Sequence, residues 1–141
     1  MNNNEKSSFV FRQLFDKDTG TFTYLMFDSD TMEGLIIDPV KEQFDRSLQF
    51  IEELGIELKY VIDTHVHADH VTSSCMLRDA TGAKSAFGET SAAQCADLLL
   101  SDGDELEFGR FKLKAISTPG HTDACTSCLL YTSDAADDSL R

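Results

Sequence analysis

Leu58-Lys59-Tyr60-Val61-Ile62-Asp63-Thr64-His65-Val66-His67-Ala68-Asp69-His70 joins an apolar run to a loop crowded with imidazoles and carboxylates. Short apolar runs with branched and aromatic members, closed by polar residues, read as buried strands, here over Leu58 to Ile62. Ahead of it the period changes. Between Lys41 and Leu54, Phe44, Leu48 and Ile51 recur at helical spacing, Phe50 and Leu54 widen the stripe, and Gly55 stands where a C-terminal cap belongs. Further back, Leu35-Ile36-Ile37-Asp38 is another apolar strand, stopped by Pro39, which lacks a ladder donor. Strand, helix, strand favours parallel pairing and an α/β class. Open α/β sheets place ligands just beyond the carboxyl ends of their strands, which is where the histidine loop falls.

Working outward, Phe9 to Phe15 and Thr21 to Phe27 form an expected hairpin whose turn contains Gly20. Downstream, Val71 to Ala80 reads as a short helix ending at Gly82, Ala83 to Phe87 as a strand, and Ser91 to Leu100 as an Ala- and Leu-rich helix opened by Thr90. Glu105 to Phe108 and Phe111 to Ser117 read as a hairpin about Gly109-Arg110, its second strand delivering Pro119-Gly120-His121. With no internal repeat or linker, residues 9–127 read as a single domain behind a polar leader, 1–8.

The 141 residues are 41% hydrophobic and 26% charged, which suits one globular domain. Twenty-five acidic against 12 basic side chains give a net charge of −13, a field that repels nucleic acid. No apolar run approaches the roughly 18 residues that span a bilayer, and the N-terminus is polar, so the expectation is a cytoplasmic protein without a membrane partner. The four cysteines, Cys75, Cys95, Cys125 and Cys128, are too irregularly spaced for a disulfide framework. Reduced thiols are expected, with Cys75 and Cys95 as small buried hydrophobes. Surplus acid at Asp102, Asp104, Glu105 and Glu107 reads as a solvated turn and strand face, and Arg12 and Tyr24 as solvation and packing.

All four histidines lie in two loops that follow expected strands: His65, His67 and His70 in one, His121 in the other. Imidazole and carboxylate suit zinc, iron and related divalent ions, so His65, His67, Asp69 and His70 are candidate metal ligands. His121 joins them because the Pro119-Gly120 turn can aim one side chain across a cleft. Asp38 and Asp63, at strand ends, either support this loop or cap its backbone.

Thr64-His65-Val66-His67-Ala68-Asp69-His70 and Thr118-Pro119-Gly120-His121-Thr122 resemble the metallo-β-lactamase superfamily. Phe11-Arg12-Gln13-Leu14-Phe15, Thr21-Phe22-Thr23-Tyr24-Leu25, Ile37-Asp38-Pro39-Val40, the His-Ala-Asp-His form of the loop, Asp102-Gly103-Asp104 and Phe108-Gly109-Arg110-Phe111 narrow the resemblance to the persulfide dioxygenase group. That resemblance implies the N-terminal half of an αββα sandwich. It also implies one Fe(II) per chain, held by His65 and His121 with an aspartate from a later strand, while His67, Asp69 and His70 sit nearby. The implied reaction takes glutathione persulfide and O2 to sulfite and glutathione, and the resemblance leaves room for a homodimer in the complete protein. The alternative is a dinuclear Zn(II) hydroxyacylglutathione hydrolase of the glyoxalase II kind, in which His67 joins the first metal and Asp69 and His70 hold the second. A metal-binding remnant without activity is the third reading.

The resemblance departs near the end. The family's aspartate ligand lies beyond a further strand, turn and strand, and Asp134 stands too few positions after His121 for that path. Residues 128–141, beginning Cys128-Leu129-Leu130-Tyr131-Thr132-Ser133-Asp134, resemble the read-through of a sequencing adapter. The expectation is therefore a C-terminally truncated fragment, inactive alone, with native sequence to about Ser127.

Overall fold

Apolar residues on both faces of the central strands dictate a layered arrangement, because each face needs its own cover. The computed structural model describes residues 8–18, 20–64, 73–88, 96–117 and, as backbone, 126–132. A hairpin of β1 (Phe9–Asp16) and β2 (Thr21–Asp28) leads to β3 (Glu33–Ile37), a 3-10 turn (Lys41–Gln43), α1 (Phe44–Leu54) and β4 (Glu57–Asp63). Then come α2 (Ser73–Thr81), β5 (Lys84–Gly88), β6 (Leu98–Leu100), β7 (Glu105–Phe108), β8 (Phe111–Ser117) and β9 (Thr126–Thr132). The first six strands make one sheet in the order β1-β2-β3-β4-β5-β6, and the last three a second sheet, β7-β8-β9.

The expected strand–helix–strand unit is parallel: Leu35 lies opposite Tyr60, Ile36 opposite Val61 and Ile37 opposite Ile62. Gly55 ends α1 in the left-handed conformation, φ 73°, with its N–H on the carbonyls of Ile51 and Glu52. On one face of the large sheet, Leu25, Phe27, Ile36 and Val61 pack under Ile51 of α1 and Leu77 of α2. On the other, Met26, Leu35, Ile37, Ile62 and Ala86 meet Leu106, Phe108, Phe111, Leu113 and Ala115 of the second sheet. Alternation along each strand thus feeds two cores, one beneath the helices and one between the sheets.

One expected element is corrected. Leu98 to Leu100 is not the end of a helix but β6, paired in parallel with Ala86 to Gly88. Asp97 fixes it there: its N–H donates to the carbonyl and hydroxyl of Ser85, and its carboxylate accepts from the Ser85 N–H at 3.0 Å. These tertiary bonds outweigh the helix propensity of three leucines. Thr90 and residues 91–95 of that expected helix lie outside the described residues. Among the described residues no helix is long and apolar enough to cross a membrane. β9 runs without a break across the expected boundary after Ser127.

Candidate metal centre

Two strands point the candidate loops. Sequence places the loop of His65, His67, Asp69 and His70 directly after β4, in the large sheet, and the loop of His121 directly after β8, in the small one. Glu57, the first residue of β4, pairs with Glu33. Glu33 also accepts a bond from the Gly109 N–H, in the turn just before β8. Both strands therefore set out from one pole of the sandwich, and each is seven residues long, roughly 20 Å of extended chain. They run toward the opposite pole, where Asp38, Asp63 and Thr64 lie. His65, His67, Asp69, His70 and His121, together with Asp134, lie outside the described residues. Among the described residues, no group of three or more His, Cys, Asp or Glu side chains could hold a metal.

What the structure describes is the ground from which the first loop departs. Asp38 follows β3 with φ 56°, a left-handed conformation that Asp tolerates better than most residues. Its N–H donates to the Ile62 carbonyl at 2.7 Å, and its own carbonyl accepts the Thr23 hydroxyl at 2.8 Å. One carboxylate oxygen accepts the Thr64 N–H at 2.8 Å and the other the Thr64 hydroxyl at 2.5 Å. Thr64 is buried and immediately precedes His65. Of the two sequence readings of Asp38, this geometry supplies backbone capping and support for the loop together. Asp63, also buried, closes β4 beneath it.

At the opposite pole a second polar cluster locks the two sheets together. Asp28, fully buried, accepts the Arg110 N–H at 2.8 Å and the Asp30 N–H at 2.9 Å. The Arg110 guanidinium reaches Ser8 at 2.6 Å, lies 3.5 Å from the Asp28 carboxylate and bonds Asp30. Burial, the strongest influence, pushes the Asp28 carboxyl up. The bond from Ser8, the N–H groups of Arg110 and Asp30 and the Arg110 charge outweigh it and hold the carboxyl below its usual value. Gly109, at φ 59°, makes this contact possible, since a Cβ there would stand 2.4 Å from the Asp28 side chain. Sequence reasoning found the Gly109-Arg110 turn but not this partner, because Asp28 reads as an ordinary polar turn residue. A buried carboxylate holding an arginine across 82 positions leaves no local signal.

The cysteine expectation is corrected at one position. Cys75, half-buried in the first turn of α2, is disulfide-bonded and not a free thiol. Spacing along the chain could not reveal this, because pairing depends on distance in the fold. Arg12 and Tyr24 behave as expected: Arg12 is exposed and caps the Phe11 carbonyl, and Tyr24 stacks on Phe11. Lys112 bridges Glu105 and Glu107 on the solvated strand face.

No known family model matches the chain. It is 45% identical over 122 residues to the mitochondrial persulfide dioxygenase ETHE1 of Homo sapiens, a match covering 86% of this chain and 48% of that protein. The crystal structure of ETHE1 from Myxococcus xanthus superimposes with a TM-score of 0.77 at 43% identity, covering 89% of this chain and 54% of that one. A metallo-β-lactamase from Staphylococcus aureus gives 0.80 at 26% identity, over 94% and 42%. The chain spans about half the length of the curated relatives it matches. The chain thus has the fold of the metallo-β-lactamases and is a homologue of the persulfide dioxygenases.

Proposed function

We propose that this chain is the histidine-bearing half of a non-haem iron persulfide dioxygenase that oxidises glutathione persulfide with O2. One persulfide, one O2 and one water give glutathione, sulfite and two protons. The observation that carries the reading is the Asp38 carboxylate gripping Thr64 one residue before His65, at the carboxyl ends of β3 and β4. That it occurs in a chain 45% identical to human persulfide dioxygenase supports this reaction over others of the fold.

The donor set fits the metal: His65 and His121 offer two imidazoles, and a carboxylate from a further strand would complete the facial arrangement of non-haem iron oxygenases. His67, Asp69 and His70 would orient those ligands. Iron, when bound, supplies the redox chemistry and open positions for sulfur and oxygen. The chain's own share is positional. Asp38 fixes where the first loop leaves the large sheet, and the Asp28–Arg110 lock fixes where β8 begins. Holding both reactants at one point replaces their encounter in solution.

A second reading, a dinuclear zinc hydrolase, is supported by the extra donors His67, Asp69 and His70. A probable metallo-hydrolase of Burkholderia pseudomallei, 32% identical over 155 residues, supports it too. Metal analysis and an oxygen electrode on the protein completed from its gene separate the two. One iron per chain with O2 consumed on adding glutathione persulfide is expected. Two zincs, no O2 uptake and cleavage of S-lactoylglutathione would overturn the dioxygenase reading.

A further inference from the structure

We infer that the groove between the C-terminal ends of α1 and α2 is a docking site for a partner protein, which it takes by a basic segment carrying an apolar side chain. Strands β4 and β5 are parallel and a helix precedes each, so both helices end at the pole where those strands begin. This is the pole of Asp28, opposite the one to which β4 and β8 deliver the histidine loops. There the fold leaves an open groove of about 470 Å³, within the roughly 300–1,000 Å³ of ligand clefts. Its floor is apolar: Ile51, Ile56 and Leu58 reach it from beneath, at 3%, 8% and 5% exposure, and Leu48 and Ala80 line it beside them.

The electrostatics of the groove are one-sided. Glu52 and Glu57, both exposed, stand on its rim, and among the described residues no basic side chain lines it. Gly55 and Thr81 line it as well, so each helix turns its C-terminal end, the negative end of its dipole, toward the same space. The last turn of α1 holds no basic residue to offset that end. Lys59 of β4 offsets part of the Glu57 charge from 3.4 Å but is shared with Glu33 at 3.9 Å. Arg78 of α2 is held by Asp79 at 3.0 Å and by Asp97 at 3.6 Å.

An apolar floor under a negative rim selects a segment of complementary character: an apolar side chain to cover the floor, with lysine or arginine beside it to meet Glu52 and the helix ends. The net charge of −13 draws such a segment in from a distance. Glu52, Gly55, Glu57 and Ala80 are all exposed around the opening, so the groove suits a side chain projected from a larger surface better than a molecule enclosed within it. The inference rests on the groove and not on the reaction proposed above, so a protein that binds here without turning over persulfide upholds it.

The test uses the protein completed from its gene and two fluorescein-labelled peptides of equal positive charge, one of alternating leucine and lysine pairs, the other with serine in place of leucine. Fluorescence anisotropy should show saturable one-to-one binding of the leucine peptide, about tenfold tighter than the serine peptide, with amide resonances shifting at Gly55 and Thr81. Glu52→Lys with Glu57→Lys should weaken that binding about tenfold. Glu42→Lys with Asp45→Lys, the same change in net charge at the other end of α1, should weaken it far less. All four positions are exposed, and the comparison of the two peptides on the unsubstituted protein stands even if a variant folds poorly. Equal affinity for the two peptides, equal weakening by the two pairs of substitutions, or no saturable binding would overturn the inference. Self-association abolished by Glu52→Lys with Glu57→Lys would also overturn it, naming a second copy as occupant.

Discussion

Replacing Asp38 tests whether the histidine loop is held by the bonds its carboxylate makes. The carboxylate makes two bonds to Thr64, one to the N–H at 2.8 Å and one to the hydroxyl at 2.5 Å, on backbone at φ 56°. Each charge-assisted bond contributes about 1.5–3 kcal/mol, and a residue other than Gly, Asn or Asp in the left-handed region costs about 1–2 kcal/mol. Asp38→Ala loses both bonds and strains the backbone, so about 4–6 kcal/mol of unfolding free energy should go, allowing for partial replacement by water. Asp38→Gly loses the same bonds without the strain and should be about 1 kcal/mol more stable than the alanine variant. Asp38→Asn keeps the shape and an acceptor for the Thr64 N–H, and should lose only about 1–2 kcal/mol, the charge-assisted part. Urea unfolding followed by circular dichroism gives the free energies, and amide exchange at Thr64 gives the local effect. Protection there should fall in the alanine and glycine variants and persist in the asparagine variant. If Asp38→Ala lies within about 1 kcal/mol of wild type and Thr64 stays protected, the carboxylate does not hold the loop.

Three further outcomes are expected. Gly109→Ala forces a Cβ to within 2.4 Å of the buried Asp28 side chain at φ 59°; displacing that carboxylate and straining the turn should cost about 3–5 kcal/mol in urea melts, whereas Gly103→Ala, with open space at φ 94°, should cost about 1–2 kcal/mol. The Asp28 carboxyl lies below its reference value of 3.8 in the folded chain, so the unfolded state binds more protons between the two values. Its contribution is thus present above about pH 4 and lost as pH falls through the folded value, and stability measured from pH 6 down to pH 2.5 should drop less steeply in Asp28→Asn than in wild type. In the completed protein, His65→Ala or His121→Ala should abolish bound iron while His67→Ala retains a measurable fraction; equal loss from all three, by metal analysis, would favour the dinuclear site.

Legibility followed the range of the interactions. Helix α1 and strands β3 and β4 could be read because each advertises its buried face through its own period, and Gly55 marks the helix end with a residue suited to positive φ. The β7–β8 hairpin was equally local. Leu98 to Leu100 misled because a leucine run suits a buried strand and a helix alike, and what decided it, Asp97 bonding Ser85 twelve positions earlier, carries no periodic mark. The site divides the same way. The candidate donors crowd into two loops and are visible as residue types, whereas the bonds that anchor the strands flanking those loops join distant parts of the chain. Asp38 reaches Thr64 across 26 positions and Arg110 reaches Asp28 across 82.

That division follows if, as proposed, one centre is built on two sheets. A loop leaving β4 can be anchored by its parallel neighbour β3, which is why Asp38 suffices there. A loop leaving β8 has no such neighbour in the large sheet, so its placement depends on how the small sheet sits on the large one. The packing of Phe108 and Phe111 against Met26 and Leu35 supplies area but little direction, since apolar contact is not directional. The buried Asp28 bonded to the Arg110 backbone supplies direction, because a charged acceptor in a dry setting tolerates little displacement. On this argument sliding of the sheets is resisted at the Asp28 pole, and its effect would be felt at the other end of β8, where His121 follows.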